Sequence, residues 1–188
     1  MELSETDKYR IAFGELVEKF SRLESMIDRL LSSFIGGKVG HIIVCELSIR
    51  QKIDLLMSLY RFEMSQIKDV PPKIIDKQIY LFDLLLRKIK TACDARNTII
   101  HSYWFGGGYR IKATAKYKSG YEIEEENVPL EKITKLSENT NVYGAMLSNI
   151  QANGLFAIQE QSSFYPYIKP DTTPKSKSRT KRQKKQTR

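Results

Sequence analysis

Apolar residues in the first part of the chain recur at alternating spacings of three and four. Phe13, Leu16, Phe20, Leu23, Ile27, Leu30 and Phe34 therefore share one side of a helix, and the pattern predicts a continuous amphipathic helix over residues 5–34. Gly36-Gly37 ends it, because a residue free to take left-handed backbone commonly follows a helix. A second helix is expected over 42–63, with Leu47, Leu55, Leu56, Leu59 and Phe62 turned inward and Arg50, Lys52 and Arg61 outside. Pro71-Pro72 separates it from a third helix over 73–103, the most regular in the chain, which places Ile75, Ile79, Phe82, Leu86, Ile89, Cys93 and Ile100 on one face.

After Phe105-Gly106-Gly107-Gly108 the period changes to two. Tyr109, Ile111, Ala113, Ala115 and Tyr117 alternate with Arg110, Lys112, Thr114, Lys116 and Lys118, so a strand is expected, returning through Tyr121 and Ile123 as a hairpin over 109–126. A three-residue loop with Gly120 left-handed would set Tyr117 opposite Tyr121 and Ala115 opposite Ile123. It would also pair Lys116 with Glu122 and Lys112 with Glu126, which turns an apparent lysine platform for RNA into a row of neutralised charges. Pro129 suits the first turn of a last helix, whose interrupted apolar face is Ile133, Leu136, Val142, Tyr143, Met146, Leu147 and Ile150. The run Phe164-Tyr165-Pro166-Tyr167 either docks on the body or serves as a peptide for a partner. The fold class expected is mainly α, with one inserted β-hairpin.

Composition changes this picture at one end. The net charge of +9 suggests a nucleic-acid footprint, yet nine basic residues and a single acid lie in 169–188, so the rest of the chain is nearly neutral. Residues 161–188 are read as a disordered polybasic tail, since they lack the apolar periodicity that would offset the entropy of ordering, and 1–160 as the folded domain. Within the tail, Lys175, Lys177, Arg179, Lys181, Arg182, Lys184 and Lys185 are candidate RNA-binding residues, through counterion release; a merely solubilising tail is the alternative. The start of the chain is acidic and no apolar run spans a bilayer, so a cytoplasmic protein with no membrane contact is expected. Cys45 and Cys93 lie in apolar-periodic segments and are expected to be free core thiols. His41, after Gly40, is read as structural. No phosphate-binding loop and no cluster at metal-ligand spacing occurs, so neither cofactor nor metal is expected.

Candidate chemistry gathers on the third helix. Asp83, Arg87, Lys90, Asp94, Asn97 and His101 form a polar stripe at spacings of four and three, which suggests a cleft, shared with a second copy of the same helix. RNA carries its own nucleophile, the 2′-hydroxyl. A ribonuclease can therefore work with a proton-transfer group, for which His101 is suited, and a cation to clamp the phosphorane, for which Arg96 is suited. At 100° per residue Arg96 and His101 are about 140° apart on an ideal helix, so the arginine must curl round, the helix must loosen, or each arginine must reach a partner's histidine.

The run Arg96-Asn97-Thr98-Ile99-Ile100-His101 resembles the Arg-polar-x3-His signature of the HEPN superfamily, whose helical bundles bear it toward the end of a core helix. The resemblance extends over the helices from residue 5 to 103 and the last helix. It implies an HEPN-like helical bundle, a homodimer with facing motifs, and metal-independent cleavage of an RNA substrate to a cyclic phosphate and a free 5′-hydroxyl. By it Arg96, Asn97 and His101 are catalytic: His101 the acid or base, Arg96 the stabilising cation, Asn97 the residue that orients them. Continuation to Tyr103 is similar to HEPN toxins paired with a minimal nucleotidyltransferase antitoxin, and implies Tyr103 as a site of AMP modification. The function expected is that of a toxin or antiviral defence ribonuclease. The alternative is a catalytically inactive HEPN-like dimeric module that binds RNA or protein.

Overall fold

A computed structural model describes residues 3–116, 120–158, 163 and 165–169, with backbone alone at 112–116, 120–122 and 124. The fold is mainly helical, in the order α1 (Glu5–Ile35), α2 (Gly37–Cys45), α3 (Ile49–Gln66), α4 (Pro72–Ile100), β1 (Tyr103–Trp104), β2 (Tyr109–Lys116), β3 (Gly120–Asn127), α5 (Leu130–Asn153) and α6 (Tyr165–Ile168). Ser4 starts α1 by accepting the Asp7 N–H at 3.2 Å, and Gly36, at φ +80°, ends it. α1 lies along α5, and α3 and α4 close the bundle. Leu16, Leu23 and Ile27 of α1 meet Leu56 and Tyr60 of α3, Leu81, Phe82 and Ile89 of α4 and Ile133 of α5 in a core from which water is essentially excluded. Burying each such side chain contributes about 1.5–3 kcal/mol. Tyr60 stacks on Phe82 with ring centroids 3.9 Å apart and donates its hydroxyl to the Leu155 carbonyl at 2.6 Å.

The helix expected over 42–63 is two. The Ser48 hydroxyl accepts the Gln51 N–H while the Ser48 N–H donates to Gln51 Oε1 at 2.9 Å, a reciprocal cap that starts α3 and separates it from α2. The inward face is Ile53, Leu56, Tyr60 and Met64; Phe62, expected inside, is exposed, and Leu47, Leu55 and Leu59 are half-buried. Lys52, expected outside, is buried and bonds Glu24 at 3.0 Å and Asp28 at 2.8 Å, both on α1. Burial pulls its pKa down, but the two carboxylates outweigh this and hold the ammonium above its ordinary value. Cys45, expected in the core, is exposed; Cys93 is buried as expected.

The third helix stops at Ile100 rather than 103. Tyr103 pairs with Ile111 and Trp104 with Arg110, adding β1 to the expected hairpin and making an antiparallel sheet of order β1-β2-β3. The hairpin register is displaced by two from expectation: Ala115 lies opposite Tyr121, Ala113 opposite Ile123, Lys112 opposite Glu124 and Lys116 opposite Gly120. Tyr117, Lys118 and Ser119 lie outside the described residues. The open end sets this register, where the Val128 N–H donates to the Gly108 carbonyl at 2.9 Å and Arg110 pairs with Glu126. A shift of two leaves each residue on its expected face. It is nevertheless the polar row that turns inward at its base, since Arg110 is 5% exposed and Tyr109 39%.

Pro129 stands just before α5 as its cap rather than in its first turn. The expected apolar face of α5 is otherwise found, with Ile133, Tyr143, Met146, Leu147 and Ile150 buried and Leu136 and Val142 half-buried. α6 packs on α4 with Ile168 fully buried, and Tyr165 of the aromatic run packs against the core. Phe164 and residues 170–188, with the seven tail cations, lie outside the described residues. Among the described residues no helix is long and apolar enough to cross a membrane.

Candidate functional site

The last turns of α4 carry Arg96, Asn97 and His101. Arg96 is half-buried, with its guanidinium carbon 6.0 Å from the centre of the Phe20 ring on α1, and its Nη1 donates to Asn97 Oδ1 at 3.0 Å. Its Nε is buried and has no hydrogen-bond partner among the described residues. Arg96 and Asn97 line a cleft of about 70 Å3 together with Phe20, Ser21 and Glu24 of α1, Ile49 of α3 and Cys93. Burial, with Asp94 and Glu24 nearby, pushes the Cys93 thiol up to about 11, so it is a poor nucleophile at neutral pH.

The polar stripe has a use within one chain. Asp83 pairs with Arg87, Lys90 reaches Asp54 of α3 at 3.2 Å, and Asp94 pairs with Arg50 of α3. Most of the stripe is thus the solvated rim of the α3–α4 contact, and it does not itself require a second copy of the helix. Asn97 and His101 are the members left outside these pairs.

His101 is the residue at which α4 ends, and its N–H donates to the Asn97 carbonyl at 3.0 Å. Its side chain is exposed, and among the described residues the imidazole makes no hydrogen bond or ion pair. No bond joins it to Arg96 either: the arginine turns toward α1 while the histidine leaves at the helix end. Among the described residues Arg96 and Asn97 are therefore joined by a side-chain hydrogen bond, and the His101 side chain is bonded to neither.

The last carbonyls of a helix lack partners within it. Here the sheet supplies them. Arg110 Nη1 donates to the Thr98 carbonyl at 3.0 Å and Trp104 Nε1 to the Ile99 carbonyl at 2.9 Å. Arg110 is held in turn by Glu126, whose second oxygen takes Lys132 at 3.0 Å; Arg110 first and Lys132 second hold that carboxyl below its ordinary range. Trp104 is wedged edge-on against Phe13 of α1 at 4.6 Å. The buried cation at the negative end of α4 also suits the helix dipole. Tyr103, between His101 and this wedge, is 69% exposed, so its phenol is open to a modifying enzyme.

Sequence reasoning missed Phe20, Ser21 and Glu24 as walls of the cleft, and Arg110 and Trp104 as the cap behind His101. Phe20 reads as plain core, and nothing local ties α1 to the Arg96 turn. Among the described residues no three His, Cys, Asp or Glu side chains gather as a metal site. Comparison with protein-family models, characterised proteins and solved structures finds no match.

Proposed function

We propose that the chain is a metal-independent endoribonuclease of the HEPN type, acting in the cytoplasm as a toxin or antiviral defence effector. The observation that carries this reading is His101: an exposed imidazole with no partner among the described residues, one turn beyond an arginine-asparagine pair that lines a cleft. In the reaction the RNA 2′-oxygen bonds to the adjacent phosphorus as the bond from phosphorus to the 5′-oxygen breaks. The 2′-proton passes to a base and the departing 5′-oxygen takes a proton, leaving a cyclic phosphate and a 5′-hydroxyl. His101 serves one of these transfers and Arg96 the charge of the phosphorane, with Asn97 orienting the arginine through the bond it accepts. The site is completed in a homodimer, which brings a second motif within reach.

The test is cleavage of a single-stranded RNA by the purified chain in excess chelator. His101→Ala and Arg96→Ala should each lower the rate by about 10²–10⁴-fold with little change in melting temperature. A substrate with hydrogen in place of the scissile 2′-hydroxyl should resist. Undiminished activity in His101→Ala, or cleavage of all-deoxy substrate, overturns the mechanism.

The absence of any bond between Arg96 and His101 among the described residues favours a second reading, a catalytically inactive HEPN-like dimeric module that binds RNA or protein. It expects RNA retention without products, indifferent to His101→Ala. In the toxin form of the first reading the partner is an antitoxin such as a minimal nucleotidyltransferase, and Tyr103 is the residue that gains AMP. Intact mass after incubation with such an enzyme and ATP, compared with Tyr103→Phe, tests that step.

A further inference from the structure

At the C-terminal end of α1 a second pocket is lined by Arg29, Ser32 and Ser33 of α1, Lys38 and His41 of α2 and Gln151 of α5. Among the described residues no acidic side chain lines it. Three other cations along α1 pair with acids of the same helix: Arg10 with Asp7, Lys19 with Glu15 and Arg22 with Glu18. Arg29 is different, because the positions three and four residues away on either side are Ser25, Met26, Ser32 and Ser33. Among the described residues neither Arg29 nor Lys38 has a carboxylate partner.

The groups around this pocket are chiefly donors. Ser32 is buried and its Oγ lies 3.2 Å from His41 Nδ1. With the serine donating to Nδ1, the ring keeps Nε2–H as a donor. Ser33 is not a donor here, since its hydroxyl is given to the Leu30 carbonyl at 2.7 Å. That leaves a guanidinium fork, an ammonium, an imidazole and the Gln151 amide, contributed by three helices. Beside them α2 begins at Gly36 with no side-chain cap and no acid in its first turn, so its opening N–H groups add positive potential to the same corner.

We propose that this pocket binds a phosphoryl group, carried by a phosphomonoester or by a nucleic-acid backbone. A phosphate offers several acceptor oxygens and negative charge, which matches a set of convergent charged donors without a competing carboxylate. The pocket lies about 14 Å along α1 from the Arg96 cleft. It is independent of the ribonuclease reading and needs no cleavage to be tested. The competing role for these cations is to complement the C-terminal ends of α1 and α5, which lie here.

The experiment is residue-resolved NMR of the full chain, titrated separately with inorganic phosphate, adenosine 5′-monophosphate and a short all-deoxy single strand. Binding should shift the Lys38 and His41 amides and the Gln151 side-chain amide. Arg29→Gln and Lys38→Gln should each weaken affinity about tenfold, and together should reduce the salt dependence for the strand by about two charges. Lys38→Glu, at an exposed position, should abolish binding while the rest of the spectrum stays native. Shifts with phosphate and the monophosphate assign the pocket to a free phosphomonoester; shifts with the strand alone assign it to a backbone phosphate. The proposal is overturned if no probe moves these signals. It is equally overturned if the glutamine variants lower the melting temperature but leave affinity unchanged, as the helix-end role requires.

Discussion

Trp104 donates its indole N–H to the carbonyl of Ile99, at 2.9 Å, so the strand that follows α4 is also the cap of α4. Arg110, opposite Trp104 in the next strand, does the same for Thr98. Between them they fix where the helix stops, and so where His101 leaves it.

Arg110→Met should therefore harm both fold and site. It leaves the Thr98 carbonyl with the Ser102 hydroxyl as its only side-chain donor among the described residues and Glu126 with Lys132 alone, a loss of about 2 kcal/mol or a melting temperature lower by about 4–8 °C. Arg110→Lys should rescue little, because one ammonium cannot replace a planar fork that reaches a carbonyl and a carboxylate together. Denaturant melts of the two variants check this, and a lysine variant as stable as the parent would refute the capping role.

Gly108→Ala is expected to be the costliest glycine change in the loop. The residue sits at φ +81°, and a Cβ there would lie 2.2 Å from the Tyr9 hydroxyl oxygen and 2.7 Å from the Val128 carbonyl oxygen. Backbone strain alone costs about 1–2 kcal/mol, and the contact with backbone cannot be relieved by rotating a side chain. Gly106→Ala is the control: its φ is +95°, but the nearest atom, Thr6 Oγ1, is 3.9 Å away. The difference between the two melting temperatures isolates the close approach of the loop to α1; equal losses would mean that strain alone sets the glycine requirement.

The sequence made long periodic features legible and left tertiary pairing obscure. α1, α4 and α5 follow from stripes of Phe, Leu and Ile because their burial is one-sided along the whole helix. The division of α2 from α3 was readable in Ser48-Ile49-Arg50-Gln51, a capping sequence that the apolar run on both sides conceals. Lys52 could not be placed locally, since Glu24 and Asp28 are distant in sequence. Alternation put Arg110 on one face of the hairpin but could not say that this face is buried at its base. The same limit applies at the site: the Arg96-to-His101 spacing is visible in the chain, whereas the outward exit of His101 depends on two caps supplied by the sheet.

Alkaline pH should loosen the fold in an ordered way. Folding holds the Cys93 proton more tightly than the unfolded chain does, so its contribution is intact below pH 9.0 and is lost as pH rises toward about 11. The full loss is about 2–3 kcal/mol. Tyr60 and Lys52, also raised, add losses of the same sign beginning near 10.0 and 10.5. Cys93→Ala should flatten stability between pH 9 and 10 while leaving the steeper fall above it. A thiol reagent at neutral pH should label the exposed Cys45 at once and Cys93 only on unfolding. Equal labelling of both would contradict the buried position of Cys93.

That no bond joins Arg96 to His101 within one chain allows a sharp test of how a ribonuclease site would be assembled. If each arginine serves the partner's histidine, a dimer of one Arg96→Ala chain and one His101→Ala chain holds one site with both defects and one with none. Random mixing makes half the dimers mixed, each with one intact site of two, so two inactive proteins should recover about a quarter of the parent rate. If Arg96 instead curls round to its own histidine, every site in the mixture lacks one group and no activity returns. The mixed sample must be refolded together so that subunits exchange, and the parent chain treated alike sets the scale. Recovery near a quarter assigns the pair across the two-fold axis; absence of recovery with confirmed subunit exchange returns the arginine to its own chain, and requires α4 to loosen beyond Asn97 when RNA binds.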